Sequence, residues 1–189
     1  MINQNFFSPQ NLNDCGRVIW ITGLSGSGKS TLATLLTFRI RQSGEPTILL
    51  DGDELRHVLG VADTNANNHR RETRLLLAMK YSHLCQLLAS QGFTVVIATI
   101  SLFREVHKWN RENLPSYFEV YLKVPLEELR RRDPKGIYRR FDSGQIVNVA
   151  GLDLPIDEPE VPDLLAEFET SQTAVMVADN LMKILNKEN

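Results

Sequence analysis

The stretch Gly23-Leu24-Ser25-Gly26-Ser27-Gly28-Lys29-Ser30 fits G-x-x-x-x-G-K-[ST] at every position. Before it lies Val18-Ile19-Trp20-Ile21-Thr22, an apolar run of strand character. After it, Thr31 to Arg41 carries Leu32, Leu35, Leu36 and Ile40 at helical spacing. Strand, glycine loop and helix in that order is what a phosphate-binding loop requires. Glycines let the backbone curl until several N–H groups point at one anion. The helix N-terminus adds partial positive charge. Lys29 is placed to reach the β- and γ-phosphates of a nucleoside triphosphate, and the Ser30 hydroxyl to hold Mg2+. A ligand-free glycine turn is the alternative, and the complete motif in its complete context argues against it.

The rest of the chain fits one α/β unit around that loop. Its 189 residues are enough for a full core. The expected division is a flexible tail over 1–15 and a single domain over 16–189. A net charge of −2 advertises no basic face for nucleic acid. Cys15 and Cys85 are far apart and read as free thiols of a reducing compartment, which places the chain in the cytoplasm. No apolar run approaches the ~18 residues of a membrane span, and the Asn- and Gln-rich start from Met1 to Asp14 does not resemble a signal peptide. Strands are expected at 18–22, 47–50, 93–100, 117–123 and 164–168. Helices are expected at 31–41, 53–59, 70–90, 104–113 and 126–132, with a last helix capped by Ser171 and burying Val177, Leu181, Ile184 and Leu185. The helix over 70–90 should turn Leu76, Met79, His83, Leu84, Leu87 and Leu88 inward, with His83 a packed core histidine. Residues 133–148 read as an exposed, mobile segment and 151–162 as extended chain. Alternating strands and helices predict a three-layer αβα fold with a central parallel sheet.

Two further stretches carry chemistry. Asp51-Gly52-Asp53 ends the second strand, on the sheet edge where open parallel sheets bind ligands. One carboxylate there can hold Mg2+, directly or through water, and another can accept a proton from an attacking hydroxyl. The alternative is a plain turn in which Asp53 caps the next helix. Arg130-Arg131-Arg132-Asp133-Pro134-Lys135-Gly136, followed by Tyr138-Arg139-Arg140, is a dense cationic cluster. A charge run is usually a solvated face, but glycine hinges and aromatics suit a lid that closes over phosphates and excludes water.

Several stretches together resemble the adenylylsulfate kinase family, which uses ATP to phosphorylate the 3′-hydroxyl of adenylyl sulfate. They are Trp20 through Thr31, Asp51-Gly52-Asp53-Glu54-Leu55-Arg56-His57, Arg70 with Glu72, Ile100-Ser101-Leu102-Phe103-Arg104, Arg132-Asp133-Pro134-Lys135-Gly136-Ile137-Tyr138 and Gly151-Leu152-Asp153. The resemblance implies a P-loop nucleoside-triphosphate kinase fold with a mobile lid near 133–148. It implies ATP binding by Gly23, Leu24, Ser25, Gly26, Ser27, Gly28, Lys29, Ser30, Thr31 and Arg132. Lys29, Asp51 and Asp53 would run phosphoryl transfer, with Mg2+ held by Ser30 and Asp51. Asp53, Arg56, Arg70, Thr73, Ile100, Ser101 and Lys135 would line the acceptor nucleotide. The partners are then ATP and a small nucleotide, with a homodimer possible and neither nucleic acid nor membrane involved. In some family members the serine matching Ser101 carries a transient phosphate.

The departures from the family pattern concentrate in the acceptor half. Asn65-Ala66 stand where the family usually has Phe-Ser, and His69 where it has Asp. Val149-Ala150-Gly151 replace Phe-Thr-Gly, Thr73 replaces Asn, Leu75 and Leu76 replace paired arginines, and Leu102 replaces proline. The two missing phenylalanines sandwich the acceptor adenine in that family, and stacking is worth ~1–3 kcal/mol per base. Drift within a true adenylylsulfate kinase is one explanation. A changed acceptor is the other: a related branch phosphorylates cytidine diphosphoramidate at its ribose 3′-hydroxyl, and a smaller base fits these losses. A third nucleotide or small-molecule hydroxyl also fits. A non-catalytic nucleotide-binding regulator is the rival from another class, and it would be marked by loss of Lys29, Ser30 or the carboxylates, all of which are present.

Overall fold

The computed structural model describes residues 15–60, 70–171 and 173–186. The loop read at 63–69, with Asn65, Ala66 and His69, and most of the N-terminal tail lie outside them. Five strands, β1 (Val18–Thr22), β2 (Thr47–Asp51), β3 (Thr94–Ala98), β4 (Tyr117–Lys123) and β5 (Leu164–Glu167), form one parallel sheet in the order β2-β3-β1-β4-β5. Seven helices accompany them among the described residues: α1 (Lys29–Gln42), α2 (Gly52–Val58), α3 (Arg71–Ala89), α4 (Arg104–Asn113), α5 (Leu126–Arg132), α6 (Ile137–Asp142) and α7 (Ala174–Leu185).

Side-chain alternation along the central strands sorts the core into two layers. Ile19, Ile21, Val96 and Ala98 face Leu32, Leu36 and Ile40 of α1 and Ala178, Leu181 and Leu185 of α7. Val18, Trp20, Val95 and Ile97 face Leu77, Tyr81 and Cys85 of α3 and Val106 of α4. Strands buried on both faces explain why β1 and β3 read as unbroken apolar runs. The expected three-layer αβα architecture is present, and strands and helices fall within a few residues of their expected places.

The differences have local causes. Helix α1 begins at Lys29 rather than Thr31, because Gly28 turns the chain at φ 99° and the motif's own lysine and serine form the first turn. Helix α7 is capped by Thr173, whose hydroxyl accepts the Met176 N–H at 3.3 Å, and not by Ser171. On that helix Val177 and Ile184 are half-buried, and Ala178 joins Leu181 and Leu185 inside. On α3 the inner face is Leu77, Ala78, Tyr81, Ser82, Cys85 and Ala89. It is rotated from the expected one, since the run of three leucines at 75–77 leaves the phase of the pattern open. His83 is exposed and stacks on Trp109 at 4.6 Å, so it is not a core histidine. The 133–148 stretch is not exposed throughout: it contains α6 and buries Asp133 and Tyr138.

The rotated face of α3 gives a direct test. Leu77 is 8% exposed and Leu76 is 66% exposed. Leu77→Ala is expected to cost about 2–4 kcal/mol in urea unfolding, and Leu76→Ala less than about 0.5 kcal/mol. The reverse order would mean that the helix is turned as its sequence pattern first suggests.

Candidate active site

The phosphate loop is shaped by contacts that exclude side chains. A Cβ on Gly23 would lie 2.6 Å from the Leu122 carbonyl oxygen, so the strand exit passes β4 only as glycine. Lys29 folds back and donates from Nζ to the Leu24 carbonyl at 2.7 Å. Burial above all, with Lys135 and Arg56, lowers its ammonium to about 7 against the opposing pull of Asp51. The Ser27 hydroxyl is buried in the loop, makes no hydrogen bond and lies 2.8 Å from where a Cβ on Gly23 would stand.

Asp51 closes the second side. One carboxylate oxygen accepts the Ser30 hydroxyl at 2.6 Å and the other accepts the Asp53 N–H at 2.8 Å. Asp51, not Asp53, therefore caps α2. This leaves the Asp53 side chain free of capping, and it is ion-paired with both Arg56 and Lys135. Gly52 sits tight against β3, where a Cβ would meet the Thr99 hydroxyl at 3.1 Å. Arg56 also lies beside Tyr81, whose burial pushes its phenol up to about 12. Ser30, Asp51, Asp53, Arg56 and Lys135 thus form one connected cluster drawn from α1, β2, α2 and the segment before α6.

That segment docks on the loop. The Tyr138 hydroxyl donates to the Ser25 carbonyl at 2.8 Å. Asp133 accepts the N–H groups of Tyr138 (3.2 Å) and Arg139 (3.1 Å). Although burial alone would raise the Asp133 carboxyl, these bonds hold it below the usual range. Arg132 is gripped by Glu128 at 2.7 Å and lies 4.8 Å over the Phe168 ring. Together they wall a cavity of about 230 Å3 with Gly28, Thr31, Leu32, Thr173 and Val177. Guanidinium and ring are in contact at that distance, so a flat ring system would lie in the cavity beside the pair and not between its members. The sequence reading found Arg132 but missed Phe168, Thr173 and Val177. Phe168 follows directly on the last strand, at the sheet edge where ligands bind, and that position was the available signal.

The remaining predicted residues lie farther along the same edge. Ile100 is half-buried, and Ser101 is buried at φ 24° with its hydroxyl 2.8 Å from that of Thr99. The Thr22 hydroxyl donates to the Ile100 carbonyl and joins this loop to β1. Arg70 occupies the N-cap position of α3 and is exposed, and Thr73 lies in the first turn of α3, half-buried. Val149 is buried, its N–H held by Asp153 at 2.6 Å, while Asp153 also accepts the Asn148 N–H at 2.7 Å. Arg74 of α3 donates to the Asn148 carbonyl at 2.9 Å, and Gly151 sits against the Leu24 side chain.

The model of the adenylylsulphate kinase family matches residues 15–167. The chain belongs to this family. It is 38% identical over 143 residues to a cytidine diphosphoramidate kinase of Campylobacter jejuni subsp. jejuni serotype O:2, covering 76% of this chain and 81% of that one. It is 37% identical over 177 residues to an adenylyl-sulfate kinase of Clostridium acetobutylicum, covering 93% of this chain and 86% of that one. Among solved structures, the Mycobacterium tuberculosis APS kinase CysC in complex with AMPPNP and APS superimposes with a TM-score of 0.81 at 33% identity, covering 91% of this chain and 98% of that one. As members of this family are, the chain is an ATP-dependent kinase that phosphorylates a hydroxyl group of a nucleotide. Among the described residues no helix is long and apolar enough to cross a membrane.

Lys29 is expected to make nucleotide binding pH-dependent. Its folded-state pKa is lowered to about 7, and bound phosphates favour the charged form. Binding above that pH must therefore take up a proton, and ATP affinity should fall as the pH rises from 7 towards 9. Calorimetry in two buffers of different ionisation enthalpy would show a buffer-dependent heat at pH 8 that Lys29→Met abolishes. A heat independent of buffer would contradict this reading of Lys29.

Proposed function

We propose that the chain transfers the γ-phosphoryl group of ATP to the ribose 3′-hydroxyl of a small nucleotide, and that the nucleotide is cytidine diphosphoramidate. The observation that carries the choice of acceptor is the buried Val149 where the family pattern has phenylalanine. A pocket wall without that ring forfeits about 1–3 kcal/mol of stacking per base, which penalises adenine more than the smaller cytosine. The similarity to a cytidine diphosphoramidate kinase supports the reading. Adenylyl sulfate is the second reading, favoured by similarity of equal strength that runs over more of the chain.

In this scheme the triphosphate lies along residues 23–31 and its base enters the cavity beside the Arg132–Phe168 pair. Ser30 and Asp51 offer two hard oxygens 2.6 Å apart, a donor set that suits Mg2+ when phosphates and water complete the shell. The ion would neutralise charge on the β- and γ-phosphoryl oxygens. Lys29 shares that task, and its position is set by the loop and not by substrate. Asp53 orients or deprotonates the attacking hydroxyl. For that it must exchange its pairs with Arg56 and Lys135 for the acceptor, whose anionic groups those two cations then meet. The 133–148 segment acts as a lid and excludes water from the transferring group. The reaction would run in the cytoplasm, in a homodimer of the chain.

The test is ADP release with ATP, Mg2+ and each acceptor in turn. Turnover with cytidine diphosphoramidate alone is expected, and turnover with adenylyl sulfate at low micromolar concentration would overturn the choice. Lys29→Ala should abolish turnover. Asp53→Asn should lower kcat by about 10²–10⁴ and leave ATP binding intact; equal loss of both would make Asp53 structural. Val149→Phe should raise the preference for adenylyl sulfate by about tenfold.

A further inference from the structure

Asp157 lies outside every motif that points to this family, yet it joins three parts of the acceptor side. Its Oδ2 accepts the Arg104 N–H at 3.2 Å and Nη2 of Arg71 at 2.9 Å. Its own N–H donates to the Leu102 carbonyl at 3.0 Å, and its carbonyl lies 3.2 Å from Nε2 of His107. The N-cap residue of α4 is Phe103, whose side chain cannot cap, so the Asp157 carboxylate supplies the missing acceptor from across the chain. The Arg104 N–H is the largest influence holding the Asp157 carboxyl below its usual range, against some cost of burial, with Arg71 adding to it. Arg71 in turn reaches Glu105 at 3.3 Å and lies 5.3 Å over the Phe103 ring.

All of these contacts surround the loop 100–104. That loop carries Ser101 at φ 24°, a strained backbone for a residue with a side chain. Such a conformation persists only where its surroundings over-determine it. Asp157 grips the residues immediately after it. The same stretch of chain runs back through Asp153 to Val149, the wall facing the acceptor in the reading above.

We infer that Asp157 is a positioning residue for the acceptor: it fixes the 100–104 loop against α3 and the 148–157 segment, and it acts on acceptor binding without touching the phosphate loop. This rests on the kinase reading, so one measurement is independent of turnover. Amide hydrogen exchange of full-length Asp157→Asn should speed up about tenfold at Leu102 to His107, with β1 and α1 amides unchanged. Asp157→Ala should raise KM about tenfold or more for whichever of adenylyl sulfate and cytidine diphosphoramidate the wild type turns over. KM for ATP should stay within about twofold, and Asp157→Asn, which keeps an acceptor for the Arg104 N–H, should fall between Ala and wild type. Arg71→Met should raise the same KM, and the double variant should add little to the larger single effect. Faster exchange across the whole sheet, equal rises in both KM values, or an unchanged acceptor KM would overturn the inference. Faster local exchange with neither acceptor turned over would instead fault the choice of acceptor and leave the clamp standing.

Discussion

All five strands run in the same direction, and that parallelism governs the rest. A parallel sheet gathers the carboxyl end of every strand on one edge, and each strand must return through a helix that starts there. The edge therefore holds helix N-termini, strand-end side chains and connecting loops together. Strand β1 lies between β3 and β4, while the chain leaves it for β2 on one side and later crosses to β4 on the other. This reversal opens a crevice at the strand with the glycine loop. Gly23, Asp51, the 100–104 loop and Phe168 follow different strands and meet at one edge for this reason.

Electrostatics at that edge runs against the balance of the whole chain. The net charge is −2, yet Lys29, Arg56, Arg132 and Lys135 crowd into the site with Asp51 and Asp53 between them. Neighbouring cations and burial depress the Lys29 ammonium, an arrangement that is costly until an anion arrives. A polyphosphate relieves the cost, because it supplies the negative charge that the cluster lacks. Asp53 is meanwhile neutralised on both sides by Arg56 and Lys135.

The two halves of the site are built by different means. The phosphate-loop half is local: strand, loop and helix follow one another within residues 18–42. The half proposed to take the acceptor is assembled from the 100–104 loop, the start of α3 and the 148–157 segment, which are far apart in the chain. Two aspartates hold it, Asp153 on the backbone of Asn148 and Val149 and Asp157 on the backbone of Arg104. A local half varies little without loss of the motif itself. An assembled half can change its side chains, as the sequence departs from the family pattern at Val149 and Leu102, while the same framework bonds hold it.

The sequence by itself determined the fold class, the phosphate loop, the Asp51–Asp53 pair and the cationic segment after α5, because each is a local pattern: two-residue alternation, helical spacing, or a motif of contiguous residues. The limits of β1 and β4 and helices α4 and α5 were legible for the same reason. Tertiary structure alone decided which face of α3 turns inward, since the leucines at 75–77 satisfy more than one phase and only contact with Trp20 and Ile97 selects among them. It decided that Asp51, bonded to the Ser30 hydroxyl 21 residues earlier in the chain, does the capping and leaves Asp53 to pair with Arg56 and Lys135. It also brought Phe168 over Arg132 and Asp157 onto Arg71 and Arg104. Those pairings join residues separated by 36 to 86 positions, and packing of the sheet, not any spacing along the chain, brings them within reach.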